Sequence, residues 1–144
     1  MSTSAMSDDC KGLDTAQAVW DFTTGDARRF RDRLDLVIDA AEQLRQRGIV
    51  PRFVILLHAQ ATQFAARTLA VTKFKEPEGD DFRGAQELLR RFAALGGQVQ
   101  VCGIAMERSA IAPDNLLECV VIERNVFVSS VALQNKGYAY MPIF

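Results

Sequence analysis

The sequence predicts an α/β fold, a mostly parallel sheet of about five strands with helices on both faces. Strand-like and helix-like segments alternate along the whole chain, which is typical of parallel strands joined by helices. Residues 53–57 (FVILL) form a short, unbroken apolar run, as expected of a strand covered on both faces. The length of 144 residues favours a single domain.

The N-terminal segment differs from the rest. Residues 1–15 are polar and small, without periodicity, and we interpret them as a flexible leader before a single domain at residues 16–144. The first strand is predicted at residues 18–23 (AVWDFT).

A long amphipathic helix is predicted next, because apolar residues recur at steps of three and four. Asp26 is suited to cap its N-terminus, and Gly48 is suited to end it. The apolar stripe comprises Phe30, Leu34, Val37, Ala41 and Leu44.

The middle of the chain predicts a buried strand, two helices and a further strand. Residues 51–58 read as the strand, residues 59–74 as a helix by composition, and residues 75–81 as a loop. Residues 82–97 give an amphipathic helix that ends at two glycines, and residues 98–102 (QVQVC) alternate as a strand.

The last third predicts smaller elements. Residues 103–118 hold one or two short helical turns, with Pro113 at a helix start. A short strand (119–123), a helix (124–137) and a final strand (138–143) complete the pattern.

Composition excludes several functions. Seventeen basic residues balance eighteen acidic ones, which gives no electrostatic basis for binding nucleic acid. The N-terminus lacks the features of a secretory signal and no apolar run is long enough to span a membrane, so we expect a cytoplasmic location. There, three cysteines without a C-x-x-C pair are expected to be free thiols, and a single histidine argues against zinc. No dinucleotide, phosphate-loop or serine-hydrolase motif occurs, so we expect neither a cofactor nor a metal.

Two reactive side chains are predicted at one edge of the sheet. Ligands of open α/β sheets bind outside the carboxyl ends of the strands. His58 follows the second predicted strand and Cys102 ends the third, so parallel strands bring them to the same edge. A ligand-binding rim is expected there, formed by Thr24, Gly25, Gly103, Arg124 and Asn125.

The role of Cys102 stays open between a buried apolar filler and a nucleophile. A thiol before a helix meets backbone N–H groups and the positive end of the helix dipole, which favour the thiolate. His58 is either a structural residue or the partner of that thiolate. Cys119 begins the next strand, so a parallel sheet puts it at the opposite edge, too far from Cys102 for a disulfide. Cys10 is a weaker candidate, as a resolving thiol for Cys102.

The order of these pieces resembles the DsrE/DsrF-like family, particularly its small YchN-like branch. The matching features are the histidine after the second strand, the cysteine after the third and the closing QNKGYAY at residues 134–140. Family members often place Gly after the histidine, whereas this chain has Ala59. The resemblance implies a three-layer α/β/α sandwich and a homotrimer or homohexamer. It also implies that Cys102 carries sulfur as a persulfide, as in sulfur-relay members of the family.

Two functions are therefore expected as alternatives. The first is a sulfur carrier, at most a sulfurtransferase-like protein, in which Cys102 and His58 act between donor and acceptor proteins. The second is a non-catalytic oligomeric module that binds a small ligand, with Cys102 lining the cleft. Apolar and aromatic residues near the C-terminus are expected to form subunit contacts. They are Tyr138, Tyr140, Met141, Ile143 and Phe144.

Overall fold

The computed structural model describes residues 7–144, and within them five strands form one sheet. Every pair of neighbouring strands is parallel, and the strand order is β4-β3-β2-β1-β5. The predicted α/β fold is confirmed. The strands are β1 (Thr15–Phe22), β2 (Val50–Leu57), β3 (Gln98–Cys102), β4 (Val120–Glu123) and β5 (Ala139–Ile143).

Helices lie on both faces because the chain reverses its direction across the sheet. From β1 to β4 each new strand is added on the same side, and then the chain returns to place β5 beside β1. Since parallel crossovers are right-handed, this reversal puts the last helix on the opposite face from the first two. The helices are α1 (Ala27–Gln46), α2 (Asp80–Ala94), α3 (Gly103–Ser109) and α4 (Val126–Asn135).

The main core lies between the sheet and helices α1 and α2. Asp26 caps α1 as predicted, its carboxylate accepting a hydrogen bond from the Arg29 N–H. Each large apolar side chain buried here stabilises the fold by roughly 1.5–3 kcal/mol. Its largest fully buried members include Phe22, Phe30, Leu34, Ile55, Leu57, Phe64, Phe82 and Leu89.

The opposite face of the sheet carries a smaller apolar cluster under α4. Val19, Val54, Leu56 and Cys102 pack there against Val126, the first residue of α4. The remainder of α4 covers little, because Val126 is its one buried residue. This face, which we call the α4 face, is therefore only partly shielded from solvent.

Residues 59–74 do not form the predicted helix. The structure has a 3-10 turn at Ala59–Ala65 and irregular chain after it. Five consecutive residues, 61–65, are buried, so this segment is covered on all sides and lacks the single apolar stripe of a surface helix. The Glu78 carboxylate then fixes the irregular chain by accepting hydrogen bonds from the Thr68 hydroxyl and the Leu69 N–H.

The first strand begins at Thr15, three residues before its predicted start. Residues 1–6 of the predicted leader lie outside the described residues. Residues 7–14 make turns, and the Asp14 carbonyl accepts a hydrogen bond from the Val50 N–H. None of the helices in the described part of the chain combines the length and the apolar character required to cross a bilayer.

Candidate functional site

The site lies where β1, β2 and β3 end on the α4 face. Leu57 of β2 pairs with Val101 of β3, and the next residues along the two strands are His58 and Cys102. Side chains alternate between faces along a strand, so both residues share the face of Leu56. Neighbouring strands lie about 5 Å apart, so the two residues lie on adjacent strand ends, at one edge and on one face of the sheet.

A carboxylate not predicted from the sequence completes the site. Asp21 lies on β1, on the side of β2 opposite β3, and its Oδ1 is 2.6 Å from Nε2 of His58. Its Oδ2 accepts a hydrogen bond of 2.5 Å from the hydroxyl of Tyr140 on β5. The side chains of Asp21 and His58 are only 13% and 17% exposed. Asp21 therefore links three neighbouring strands through one partly buried carboxylate.

Hydrogen bonding sets the charge of this cluster. Burial raises the pKa of Asp21, but the hydrogen bonds from His58 and Tyr140 and the charge of His58 outweigh it, so the net pKa lies below its ordinary value. The hydrogen bond to Asp21, with smaller effects of burial and of the Asp21 charge, raises the pKa of Tyr140 to about 12. At neutral pH Asp21 is thus a carboxylate and Tyr140 a neutral donor.

The imidazole also contacts α4. The His58 ring meets the ring of Phe127 edge-on, with centroids 5.6 Å apart and an interplanar angle of 89°. Asn125 aligns that helix by accepting a hydrogen bond from the Phe127 N–H through its side chain. One side of the histidine is consequently apolar and the other carries the carboxylate.

Cys102 lies in a buried, apolar setting. The residue is 7% exposed and packs in the small apolar cluster beneath Val126. It is the N-cap residue of α3, but its side chain makes no capping hydrogen bond. The prediction that the thiol contacts the N–H groups of the helix is therefore wrong. Its sulfur lies 3.9 Å from the Arg124 carbonyl oxygen instead.

Ala59, directly after His58, has a left-handed backbone with φ of +51°. This conformation costs an L-residue roughly 1–2 kcal/mol and is the region that glycine adopts freely. The position at which this chain departs from the family's usual glycine is therefore a strained one. The turn carries the chain from the histidine into the 3-10 segment.

The predicted rim residues separate into two groups. Thr24 and Gly25 serve the start of α1: the Thr24 hydroxyl accepts from the Asp26 N–H, and the Gly25 carbonyl accepts from the Gln63 side chain. The Arg124 side chain binds Glu107 of α3 at 2.7 Å in an exposed ion pair. Gly103 and Asn125 do adjoin the site, as the first residue of α3 and the cap of α4.

A cavity of about 540 Å³ opens beside Gly103, between α3 and β4. Its wall is mostly apolar, and the Arg124–Glu107 pair lies at it. A Cβ on Gly103 would approach the Arg124 backbone to 3.3 Å, so glycine allows the close contact between the two segments. The apolar lining comprises Met106, Ile111, Pro113 and Ile122. A second groove of about 560 Å³ between α1 and α2 has a charged lining and lies on the face of the sheet opposite the α4 face.

The other two cysteines lie away from the site, and all three are free thiols. Cys119 directly precedes β4, at the opposite edge from Cys102, as predicted; burial and then the charge of Glu118 raise its pKa. Cys10 precedes β1, with its sulfur 3.4 Å from Nη1 of Arg47 at that same opposite edge. This placement does not support Cys10 as a resolving partner of Cys102.

Comparisons with known proteins match nearly the whole chain. The sequence model of the DsrE/DsrF-like family covers residues 12–143. An uncharacterized protein of Aquifex aeolicus is 32% identical over 127 residues, which are 88% of this chain and 55% of that protein, so the chain spans about half the length of this relative.

Two solved structures share the fold. The protein of unknown function MTH1491 from Methanobacterium thermoautotrophicum superimposes with a TM-score of 0.65 at 18% identity. The ychN protein from E. coli superimposes with a TM-score of 0.58 at 17% identity. In both cases the match covers 88% of this chain and 98% of the other.

Proposed function

The chain belongs to the DsrE/DsrF-like family, and from this premise we propose that it is a sulfur carrier that holds sulfane sulfur as a persulfide on Cys102. The observation that supports the proposal is that Cys102 ends β3 and His58 directly follows β2, at matched register and on one face of the sheet. The chain's single histidine thus lies next to a cysteine at the position that carries sulfur in sulfur-relay members of the family.

The proposed reaction is a thiolate displacement on sulfur. The Cys102 thiolate attacks the terminal sulfur of a donor persulfide, R–S–SH. A new S–S bond forms at Cys102, the donor's S–S bond breaks, and R–S⁻ leaves with the electron pair. The terminal proton stays on the transferred sulfur, and delivery to an acceptor thiolate repeats the displacement in reverse.

The burial of Cys102 gives the carrier a protected resting state. With 7% of the residue exposed, water and small thiols have little access to a persulfide held there. Loading then requires a local displacement of the first turn of α4, because Val126 packs on the thiol cluster. The residues that follow Val126 are not buried, and Phe127 in the same turn contacts the His58 ring, so this displacement also changes that contact.

The test uses inorganic polysulfide as the sulfur donor and intact mass as the measurement. We expect the wild-type protein to gain the mass of one sulfur atom in a form that dithiothreitol removes. Cys102→Ser is expected to abolish the gain, whereas Cys119→Ser and Cys10→Ser, as matched controls, retain it. A wild type that gains no sulfur, or a Cys102→Ser variant that gains as much, rejects the carrier function.

The cavity beside Gly103 favours a second candidate function, an oligomeric module that binds a small ligand without catalysis, although Cys102, which was expected to line the cleft, is not among the lining residues. Its apolar lining suits an apolar group, and its volume of about 540 Å³ suits a small molecule. Titration with the dye 8-anilinonaphthalene-1-sulfonate tests this function. Ile122→Glu is expected to weaken dye binding, while Val71→Glu, an exposed control outside the cavity, leaves it unchanged. Equal binding by all three proteins contradicts a ligand site here.

We also propose that the chain assembles with copies of itself as a homotrimer or homohexamer, as the family resemblance implies. The α4 face supports this, because Phe127, Val128 and Val131 are more than 60% exposed on one short helix. Val121 and Tyr140 extend the exposed surface on β4 and β5. Apolar surface of this extent on one face is typical of a subunit contact.

A further inference from the structure

The position of the proton on His58 follows from the carboxylate beside it. Asp21 Oδ1 lies 2.6 Å from Nε2, which is the distance of a charge-assisted hydrogen bond. An ionised carboxylate can only accept, so Nε2 must carry the hydrogen. This holds for the neutral imidazole and for the imidazolium alike. Nδ1 has no hydrogen-bond partner among residues 7–144 and is therefore the nitrogen that gains and loses a proton.

Tyr140 fixes the carboxylate itself. Its hydroxyl donates to Asp21 Oδ2, so both carboxylate oxygens are occupied and the group cannot rotate without losing one bond. One donor comes from β5 and the other from the residue directly after β2, and these two strands lie on either side of β1. The orientation of the imidazole is thus determined by the sheet and not by a flexible loop.

The strand order places the holding group and the thiol on opposite sides of the histidine. β1 carries Asp21 and β3 carries Cys102, and β2 with His58 lies between them. The hydrogen bond to Asp21 occupies Nε2 from the β1 side, the Phe127 ring packs on the imidazole from α4, and Nδ1 has no hydrogen-bond partner among residues 7–144. Asp21 does not contact the reacting sulfur and acts on it only through His58.

We propose that Asp21 is a positioning residue that, with Tyr140, holds His58 as the Nε2–H tautomer and reserves Nδ1 for proton exchange with the sulfur chemistry at Cys102. The Nε2–H tautomer follows from the hydrogen bond to Asp21, whereas the role of Nδ1 in proton exchange rests on the proposed sulfur-carrier function. Nδ1 takes the proton of the Cys102 thiol, and the thiolate attacks the donor persulfide. The imidazolium then returns that proton to the leaving R–S⁻, so that R–SH departs and the histidine is neutral again.

Nuclear magnetic resonance tests the tautomer directly, because the chain contains one histidine and its imidazole signals need no assignment. In protein labelled with ¹⁵N, we expect a slowly exchanging, low-field proton coupled to Nε2, while Nδ1 shows the shift of an unprotonated nitrogen at high pH. Asp21→Ala is expected to remove the low-field proton. Asp39→Ala, an exposed carboxylate on α1, serves as the control that retains it.

A second variant keeps the test decisive if Asp21→Ala fails to fold. Asp21→Asn retains a hydrogen-bond acceptor of the same size without the charge, so we expect the Nε2 proton to move upfield instead of disappearing. A wild-type signal from a proton on Nδ1, or an Nε2 signal that is the same in the wild type and in Asp21→Asn, overturns the assignment.

Sulfur loading by polysulfide tests the task of Nδ1. Asp21→Asn should slow loading of Cys102 on the order of tenfold to a hundredfold, as when a group that orients a functional histidine is removed, and leave alkylation of Cys10 unchanged. An altered Nε2 signal with an unchanged loading rate overturns the positioning role and leaves the carrier function standing. A wild type that shows the Nε2 proton but takes up no sulfur instead rejects the carrier function and retains the tautomer.

Discussion

Oδ1 of Asp21 and Nε2 of His58 lie 2.6 Å apart, although 37 positions separate the two residues in the sequence. The pair exists because β1 and β2 are adjacent and parallel and both side chains emerge on the α4 face. It places a carboxylate directly beside the imidazole of the chain's single histidine. The pair has consequences for stability as well as for chemistry.

Replacing Asp21 should destabilise the protein in a pH-dependent manner. The folded-state pKa of Asp21 is lowered, so its stabilising effect is fully present above the unfolded-state pKa of about 3.9 and is lost as the pH falls through the folded value. At pH 7 we expect Asp21→Asn to lower the free energy of unfolding by about 1–3 kcal/mol. Urea unfolding of both proteins at pH 7 and pH 3 should show a smaller difference at pH 3. A difference that does not depend on pH contradicts the interpretation.

Tyr140 should ionise at unusually high pH. Its pKa is raised to about 12, so its contribution to stability is complete below the unfolded-state pKa of about 10 and is lost as the pH rises toward 12. Tyr138→Phe leaves Tyr140 as the only phenol, and its absorbance near 295 nm can then be titrated. We expect a midpoint well above 10 in this protein and a midpoint near 10 after the further change Asp21→Asn. Equal midpoints would show that the hydrogen bond is absent in solution.

Ala59→Gly should stabilise the protein, which is unusual for such a substitution. Ala59 and Ala110 both have left-handed backbones, with φ of +51° and +59°, so glycine relieves strain at each and should raise the free energy of unfolding by about 1 kcal/mol. Ala132→Gly within α4 is the matched control and should lower it by a similar amount. Thermal unfolding of the three variants checks these signs. Destabilisation by Ala59→Gly would rule out the strained turn.

A charge on the α4 face should prevent self-assembly. Val131 is 61% exposed in the single chain, and burying a lysine at this point in a subunit contact would leave an unpaired charge. Val131→Lys should therefore reduce the molar mass measured by light scattering to that of a smaller species. Val71→Lys, also exposed but in the loop after the 3-10 turn, should keep the wild-type mass. A wild type that is monomeric at micromolar concentration excludes the assembly.

The order of strands and helices was predictable because apolar periodicity is a local property. Residues 98–102 alternate and form a strand, as predicted. The apolar stripe that includes Phe30 and Leu34 lies on a helix, also as predicted. The prediction was wrong where local composition and tertiary surroundings disagree. Residues 59–74 have a helical composition, but residues 61–65 are covered on every side, so packing decides their conformation.

The candidate site was only half predictable. His58 and Cys102 could be placed because both lie at the carboxyl ends of predicted strands. Ligands of open parallel sheets bind outside those ends. Asp21 and Tyr140 lie inside strands, where a polar residue in an alternating pattern normally faces solvent. The available signal was Asp21 itself, an acidic residue between Trp20 and Phe22 in a strand of a sheet that is predicted to carry helices on both faces.

The sequence by itself determined the α/β class, the family and the sheet edge at which His58 and Cys102 both lie. The tertiary structure alone decided that β5 lies beside β1, which brings the Tyr140 hydroxyl to Asp21, and that α4 covers the Cys102 thiol. The reason is physical. Hydrophobic periodicity specifies elements one at a time, whereas hydrogen bonds between strands and the burial of a thiol depend on the strand order and on the direction of each crossover.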